Sequence, residues 1–296
     1  MTKTFKYISC NPTTKGKTVK KKSCMTPEVV DEIKNKYNKY NPDNLIRASK
    51  SIDVWSELKH KLNTCSTELC WLDEIKDPEL NSKIKKKLFP PMRPHDWKSN
   101  PNTWLSDGDI LQVLKQYEDA YKCFTFIGPT PIDYDYKETS VLGGNKKCVT
   151  EDLCKFILDE MITNKFSKIG IIFNLDKHDG PGTHWVSLFV NIKQKFIFYF
   201  DSNGVNPPFQ IRKMINKIIE DGKSLKKPIT FQTIINTFEH QKSDTECGMY
   251  SLYFIITLLT EKLKNKKMTI QQLKHHFLKK RVSDELVFKY RYKYFV

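Results

Sequence analysis

The sequence predicts an α+β fold: a small mixed sheet packed on a central helix that begins at Cys247, with a helical N-terminal extension. Three observations predict it. Runs rich in Val, Ile, Phe and Tyr occupy 170–174, 184–192 and 195–200, as strands would. Residues 246–263 are apolar on every side, as a helix enclosed by other elements must be. Before about residue 100 the apolar spacing is helical only.

Taken in order, Lys15 to Lys22 is a basic stretch, and Pro27 then opens a helix over 28–40 with Thr26 as its cap. A second helix over 51–62 places Ile52, Trp55, Leu58 and Leu62 on one face. Lys83 to Lys87 is basic again, and Pro90-Pro91-Met92-Arg93-Pro94 reads as a rigid connector. The expected organisation is therefore an N-terminal extension over 1–100 and a second domain over 101–296. In the latter, Trp104-Leu105-Ser106-Asp107 leads into a helix over 108–121, and another runs from Thr150 or Glu151 to Thr163. The strands at 184–192 and 195–200 are joined by Lys193-Gln194 and read as a hairpin. A helix over 209–220, a strand over 229–238, the apolar helix and two basic helices over 269–279 and 283–292 complete the chain. There is no internal repeat.

At 296 residues, 39% hydrophobic and 12% aromatic, the chain can bury a full core and is not globally disordered. No apolar run is long enough to span a bilayer, so membrane insertion is not expected. The opening Met1-Thr2-Lys3-Thr4-Phe5-Lys6-Tyr7 lacks an apolar signal core, which points to an intracellular, reducing compartment and to thiols rather than disulfides for the eight cysteines. The formal net charge of +16, from 50 Lys and Arg against 34 acids, is mostly lysine. It describes a solvated surface, with non-specific association with DNA as the electrostatic alternative. No zinc finger or RNA-binding signature accompanies the charge. Cys65 and Cys70 lack paired zinc spacing, and His275-His276 reads as solvated, so neither a metal nor another cofactor is expected.

The chemistry gathers around Cys247. A cysteine attacks as its thiolate, and a helix N-terminus favours that anion. Of seven histidines, His184 opens a strand just after the turn Gly180-Pro181-Gly182-Thr183. Asp201 ends the next strand of the hairpin, so the two become cross-strand neighbours, the geometry by which a carboxylate orients an imidazole. Gln241, six positions before the cysteine (247 − 241), can offer an amide N–H to a developing oxyanion. Each residue alone has an ordinary structural explanation; the ordered combination is what points to a cysteine protease. His178 is the competing base, but it precedes the turn. No Gly-x-Ser-x-Gly elbow supports a serine nucleophile.

Four blocks resemble the adenain and ubiquitin-like-protein-specific cysteine protease superfamily: Trp104-Leu105-Ser106-Asp107, His184-Trp185, Tyr199-Phe200-Asp201-Ser202, and Gln241 with Cys247-Gly248. They occur in the family's order, with 17 residues from His184 to Asp201 (201 − 184) and 40 from Asp201 to Gln241 (241 − 201). The segment from Thr183 to Pro208 looks most like the polyprotein-processing proteases of large DNA viruses, such as that of African swine fever virus. In the African swine fever virus relative the orienting residue is Asn, where this chain has Asp201, as the deSUMOylating enzymes do.

The resemblance implies an adenain-like fold and a thiol peptidase with Cys247 as nucleophile, His184 as base and acid, Asp201 as orienting residue and Gln241 as oxyanion donor. It further implies that Trp104, Trp185 and Gly248 line a narrow substrate channel, and that cleavage follows Gly-Gly or Gly-Xaa-Gly through a thioester. The implied role is processing of viral structural polyproteins during virion maturation, in the host cytoplasm and the virion. The alternatives are an isopeptidase acting on SUMO or ubiquitin conjugates of the host, and an inactive basic binding module on a protease scaffold. Val141-Leu142-Gly143-Gly144-Asn145 looks like a cleavage motif itself, but reads as a surface loop.

Overall fold

The computed structural model describes residues 4–137 and 147–296, so the Val141 to Asn145 motif lies outside the described residues. The chain forms two compact units, one of Met1–Arg93 with Tyr292–Val296, the other of Pro94–Arg291.

The first unit contains helices α1 (Pro27–Tyr40), α2 (Ser51–Lys61), α3 (Glu68–Glu74) and α4 (Pro78–Leu88). The last two escape a reading of the sequence: α3 is only seven residues long, and lysines dominate α4. In α4 the apolar face is only Leu80, Ile84 and Leu88, four residues apart, and Lys83, Lys85, Lys86 and Lys87 take the other positions of the last turns. Asp77 caps its N-terminus by accepting the Leu80 N–H. The unit's interior centres on Trp55 and Trp71, with Glu68 buried beside them. The Glu68 carboxylate accepts from Ser23 Oγ (2.5 Å), the Cys24 N–H (2.7 Å) and Trp55 Nε1 (2.6 Å). A buried carboxylate is tolerable only with partners of this number.

The second unit is α+β. After α5 (Asp107–Ala120) come β1 (Phe124–Pro131), α6 (Glu151–Cys154), α7 (Leu158–Thr163), β2 (Lys168–Asn174), β3 (Trp185–Asn191), β4 (Phe196–Phe200), α8 (Phe209–Lys223) and β5 (Gln232–Ile235). Then follow α9 (Cys247–Thr260), the two-residue strands β6 (Lys262–Leu263) and β7 (Lys266–Lys267), α10 (Ile270–Lys279) and α11 (Asp284–Tyr294). Five strands lie in the order β1-β2-β3-β4-β5. The outer pairs are parallel and the inner pairs antiparallel.

Every residue of β3 and β4 is buried, so neither strand alternates polar with apolar. The cause is a sheet covered on both faces. Ile169, Ile171, Phe173, Val186, Leu188, Val190, Ile197 and Tyr199 meet Ile211, Met214, Ile215 and Ile218 of α8. On the other face the rings of Phe198 and Phe200 lie 5.0 and 4.7 Å from Phe254 of α9. Helix α9 comes so close that a Cβ on Gly170 would meet Ile255 at 3.1 Å and Phe124 at 3.0 Å.

Several elements differ from expectation for identifiable reasons. Strand β1 was not anticipated: Pro129, Pro131 and Gly128 make it read as a loop, and it survives at a sheet edge with a register irregularity between Ile127 and Thr130. The single helix expected to Thr163 is broken into α6 and α7, and Asp221 of α8 accepts the Leu158 N–H at 3.2 Å, a cap supplied by tertiary structure. The hairpin connection spans 192–195 rather than two residues, with Asn191 accepting the Gln194 N–H and Lys195 at φ +55°.

The cysteines also depart from expectation. Three disulfides are present, Cys10–Cys24, Cys65–Cys70 and Cys148–Cys154, with Cα separations of 5.2, 5.5 and 6.3 Å. The fold brings these pairs within bridging range, which a compartment argument cannot foresee. Cys123 and Cys247 remain thiols. Among the described residues no helix is long and apolar enough to cross a membrane.

Candidate active site

Cys247 is the first residue of α9 and is buried. No acidic side chain occupies the first turn, so the helix N-terminus presents only its N–H groups and dipole to the sulfur. A side chain at Gly248 would be tightly packed: a Cβ there would stand 3.2 Å from both Leu105 Cβ and Trp185 Cδ1.

His184 immediately precedes β3. The register Ser187 to Phe200, continued by one pair, sets Val186 opposite Asp201, so His184 is the diagonal rather than the direct neighbour of Asp201 on the same face. The long imidazole spans that diagonal, and Nε2 lies 2.7 Å from Asp201 Oδ1. Cys247 lies near the same ring and favours its charged form. Burial pushes the imidazole toward neutrality, but the bond to Asp201, the nearby Cys247 and the charges of both outweigh it and raise the His184 pKa to about 9. The turn before His184 is fixed locally. Asn174 Oδ1 accepts the Asp176 and Thr183 N–H groups at 3.0 Å each, and Asp176 accepts the Gly182 N–H at 3.0 Å.

Asp201 is 1% exposed. Its Oδ1 also accepts the Asn203 N–H at 2.8 Å. Its own carbonyl accepts from the buried Asn236 side chain at 2.7 Å, and the same Nδ2 donates to the Phe238 carbonyl at 3.0 Å. Asn236 thus ties the end of β4 to the segment after β5.

Gln241 is held on both sides of its amide. Its Oε1 accepts from Ser202 Oγ at 2.7 Å, and its Nε2 donates to the Ser243 carbonyl. One Nε2 N–H is thereby used, and the group carries two. The preceding His240 is buried: Nδ1 accepts the Val282 N–H at 3.0 Å, and Nε2–H donates to the Phe277 carbonyl at 2.9 Å. Burial keeps its pKa below the usual value, consistent with that neutral tautomer.

Of the two tryptophans, Trp185 is buried and its Nε1 donates to the Leu105 carbonyl at 3.2 Å. Trp104 is 45% exposed and is not a core residue. Ser106, two residues on, forms a capping box with Asp109 at the start of α5, which explains the polar end of the Trp-Leu-Ser-Asp block. His178 bonds Asp133 at 2.7 Å and stacks on Tyr136, a pairing separate from that of His184. His276 is not solvated as expected: Tyr253 OH lies 3.1 Å from its Nε2, and burial, with nearby cationic groups, lowers its pKa to about 4. Among the described residues, the cluster with metal-type ligands is Cys65, Cys70 and Glu74, and its two sulfurs are joined to each other.

Leu105, Ser202, Asn236, Glu246 and Arg291 were not foreseen. Asn236 carries no local signal, because its partner Asp201 is 35 residues away. Leu105 and Ser202 were legible only as parts of their motifs.

Comparison with known proteins adds the following. The sequence profile of the Ulp1 protease family, C-terminal catalytic domain, matches residues 112–289. A candidate thiol protease of Acanthamoeba polyphaga mimivirus is 30% identical over 258 residues, 80% of this chain and 80% of that protein. A cysteine protease of African swine fever virus is 27% identical over 195 residues, 63% of this chain and 66% of that protein. The crystal structure of the African swine fever virus protease has the same fold, with a TM-score of 0.62 at 19% identity over 99% of this chain and 97% of the other.

Proposed function

Since this chain belongs to the Ulp1 protease family and is a cysteine protease, we propose that it is an endopeptidase cleaving after Gly-Gly or Gly-Xaa-Gly in structural polyproteins during virion maturation. The observation that carries the chemistry is one imidazole bonded to Asp201 and lying near Cys247, which stands at a helix N-terminus.

In this reading the Cys247 thiolate attacks the scissile carbonyl carbon, and the π electrons move to the oxygen. The oxyanion is met by backbone N–H groups at the start of α9 and by the second N–H of Gln241 Nε2. With its pKa raised to about 9, His184 is an imidazolium at neutral pH and can give its proton to the leaving amine as the C–N bond breaks. The resulting neutral imidazole takes a proton from water. The hydroxide attacks the thioester, the acid departs, and the thiolate and imidazolium return. The Asp201 carboxylate stabilises the charged ring. Trp185 packs on Gly248, beside the nucleophile, and the family resemblance makes it a wall of a channel that favours substrate residues without a β-carbon.

Asp201, the orienting residue of the deSUMOylating branch, favours a second reading as an isopeptidase on ubiquitin-like conjugates. The two separate on substrates. Maturation predicts turnover of short Gly-Xaa-Gly peptides and virion polyproteins at rates comparable to those on a ubiquitin-like fusion. Cleavage of the fusion alone would overturn it in favour of the second reading.

A further inference from the structure

A buried charge pair stands directly against the nucleophile. Glu246, the residue before Cys247, is 3% exposed, and Arg291 of α11 is 1% exposed. The guanidinium meets the carboxylate with two bonds, Nε to Oε2 at 3.1 Å and a terminal nitrogen to Oε1 at 2.9 Å. That fork also reaches the Thr245 carbonyl at 3.5 Å, and the other terminal nitrogen donates to the Thr103 carbonyl at 2.9 Å. The plane lies over Trp97, 4.4 Å from the ring centre, and Trp97 Nε1 donates to the same Thr103 carbonyl at 3.2 Å.

We propose that Arg291 is a positioning residue of the active site, holding the turn that presents Cys247 in register with the segment that carries Trp104 and Leu105. Burying two charges is expensive, and a well-packed apolar pair is often as stabilising. Stability alone therefore gives no reason for a forked guanidinium. An apolar pair cannot bond carbonyls of two segments at once, whereas the planar five-donor head can. One of those segments, Thr245-Glu246, leads into α9. The other, Thr103, is followed by Trp104 and then by Leu105, whose carbonyl fixes Trp185 and whose side chain closes on Gly248. Arg291 thus joins the backbone before the nucleophile to the backbone of the wall beside it. Small displacements between a nucleophile and the groups that seat its substrate reduce turnover steeply.

The inference rests on Cys247 being the nucleophile, and its test reads that point separately. Three quantities are measured in the full chain: the melting temperature, the Cys247-dependent rate of alkylation by iodoacetamide (the rate with Cys247→Ala subtracted), and kcat and KM for a Gly-Xaa-Gly peptide. Iodoacetamide needs the sulfur but not the wall. In the double variant Glu246→Met with Arg291→Met, the melting temperature and alkylation should stay near the parent's while kcat/KM falls about tenfold to a hundredfold. In Arg291→Lys, which keeps the charge but not the fork, the fall should be about tenfold. Parental kcat/KM in a folded double variant overturns the proposal, as does alkylation falling as far as peptide turnover. If the double variant does not fold, parental kcat/KM in Arg291→Lys overturns it. Absence of Cys247-dependent alkylation in the parent would instead sink the nucleophile assignment.

Discussion

Replacing Asp201 by Asn tests the electrostatics of the site most sharply, because the change removes a charge and little else. Asp201 Oδ1 lies 2.7 Å from His184 Nε2, and the carboxylate is almost fully buried. Burial alone would lower the His184 pKa; the bond to Asp201 and the nearby Cys247 raise it to about 9. A hydrogen bond to a charged group contributes about 1.5–3 kcal/mol and a neutral one about 0.5–1.5. The loss is thus roughly 1.4 kcal/mol, or about one pH unit. The sign follows from charge: without the carboxylate the imidazolium loses its proton at lower pH. The alkaline limb of kcat/KM, which reports the free enzyme, should move from about 9 in the parent to about 8 in the variant. The same linkage acts on stability. A histidine with a raised pKa contributes stability that is fully present below about 6.5 and lost as pH rises through about 9, so urea unfolding of the parent should weaken across that window more than unfolding of the variant. An alkaline limb that stays at about 9 in Asp201→Asn would refute the reasoning, since the carboxylate would then not be what holds the proton on His184.

Other consequences follow from contacts around the triad. In Gly248→Ala the new methyl meets Leu105 and Trp185 at 3.2 Å; overpacking should cost about 1–3 kcal/mol, and labelling by a glycine-ended probe should slow more than alkylation by iodoacetamide. Equal slowing of both reagents would count against a channel walled by Trp185. Asn236→Ala strips a donor from the Asp201 and Phe238 carbonyls. Urea denaturation should show a loss of about 1–3 kcal/mol, together with reduced kcat; an unchanged midpoint would remove Asn236 from the account. In the N-terminal unit, Glu68→Gln puts an amide where three donors converge, and thermal unfolding should report a loss of similar size, about 1–3 kcal/mol.

The helix at Cys247 and the strands flanking His184 and Asp201 were legible because their apolar runs are long and their breaks local. The central helix needed no periodicity, since α9 is buried on all sides, and the hairpin was bracketed by the Gly180 to Thr183 turn. Where signals were tertiary, reading failed. Nothing local marks Asp221 as the cap of α7, or Asn236 as the brace of Asp201. Strand β1 was hidden by its prolines, and α4 by its lysines. Arg291 sits in a basic helix, where one more cation carries no distinguishing mark until the fold places it against Glu246. The cysteine pairs were misjudged because compartment was the only guide, and spacing along the chain does not reveal Cα separations of 5.2–6.3 Å.

The most direct test of the central claim is labelling with a thiol-reactive probe ending in Gly-Gly, comparing the parent with Cys247→Ala and His184→Ala. The account predicts rapid modification of the parent, none at this site in Cys247→Ala, and a rate lower by about 10² or more in His184→Ala. Equal, slow labelling of all three proteins would contradict it, because Cys247 would then be an ordinary thiol without an activating imidazole.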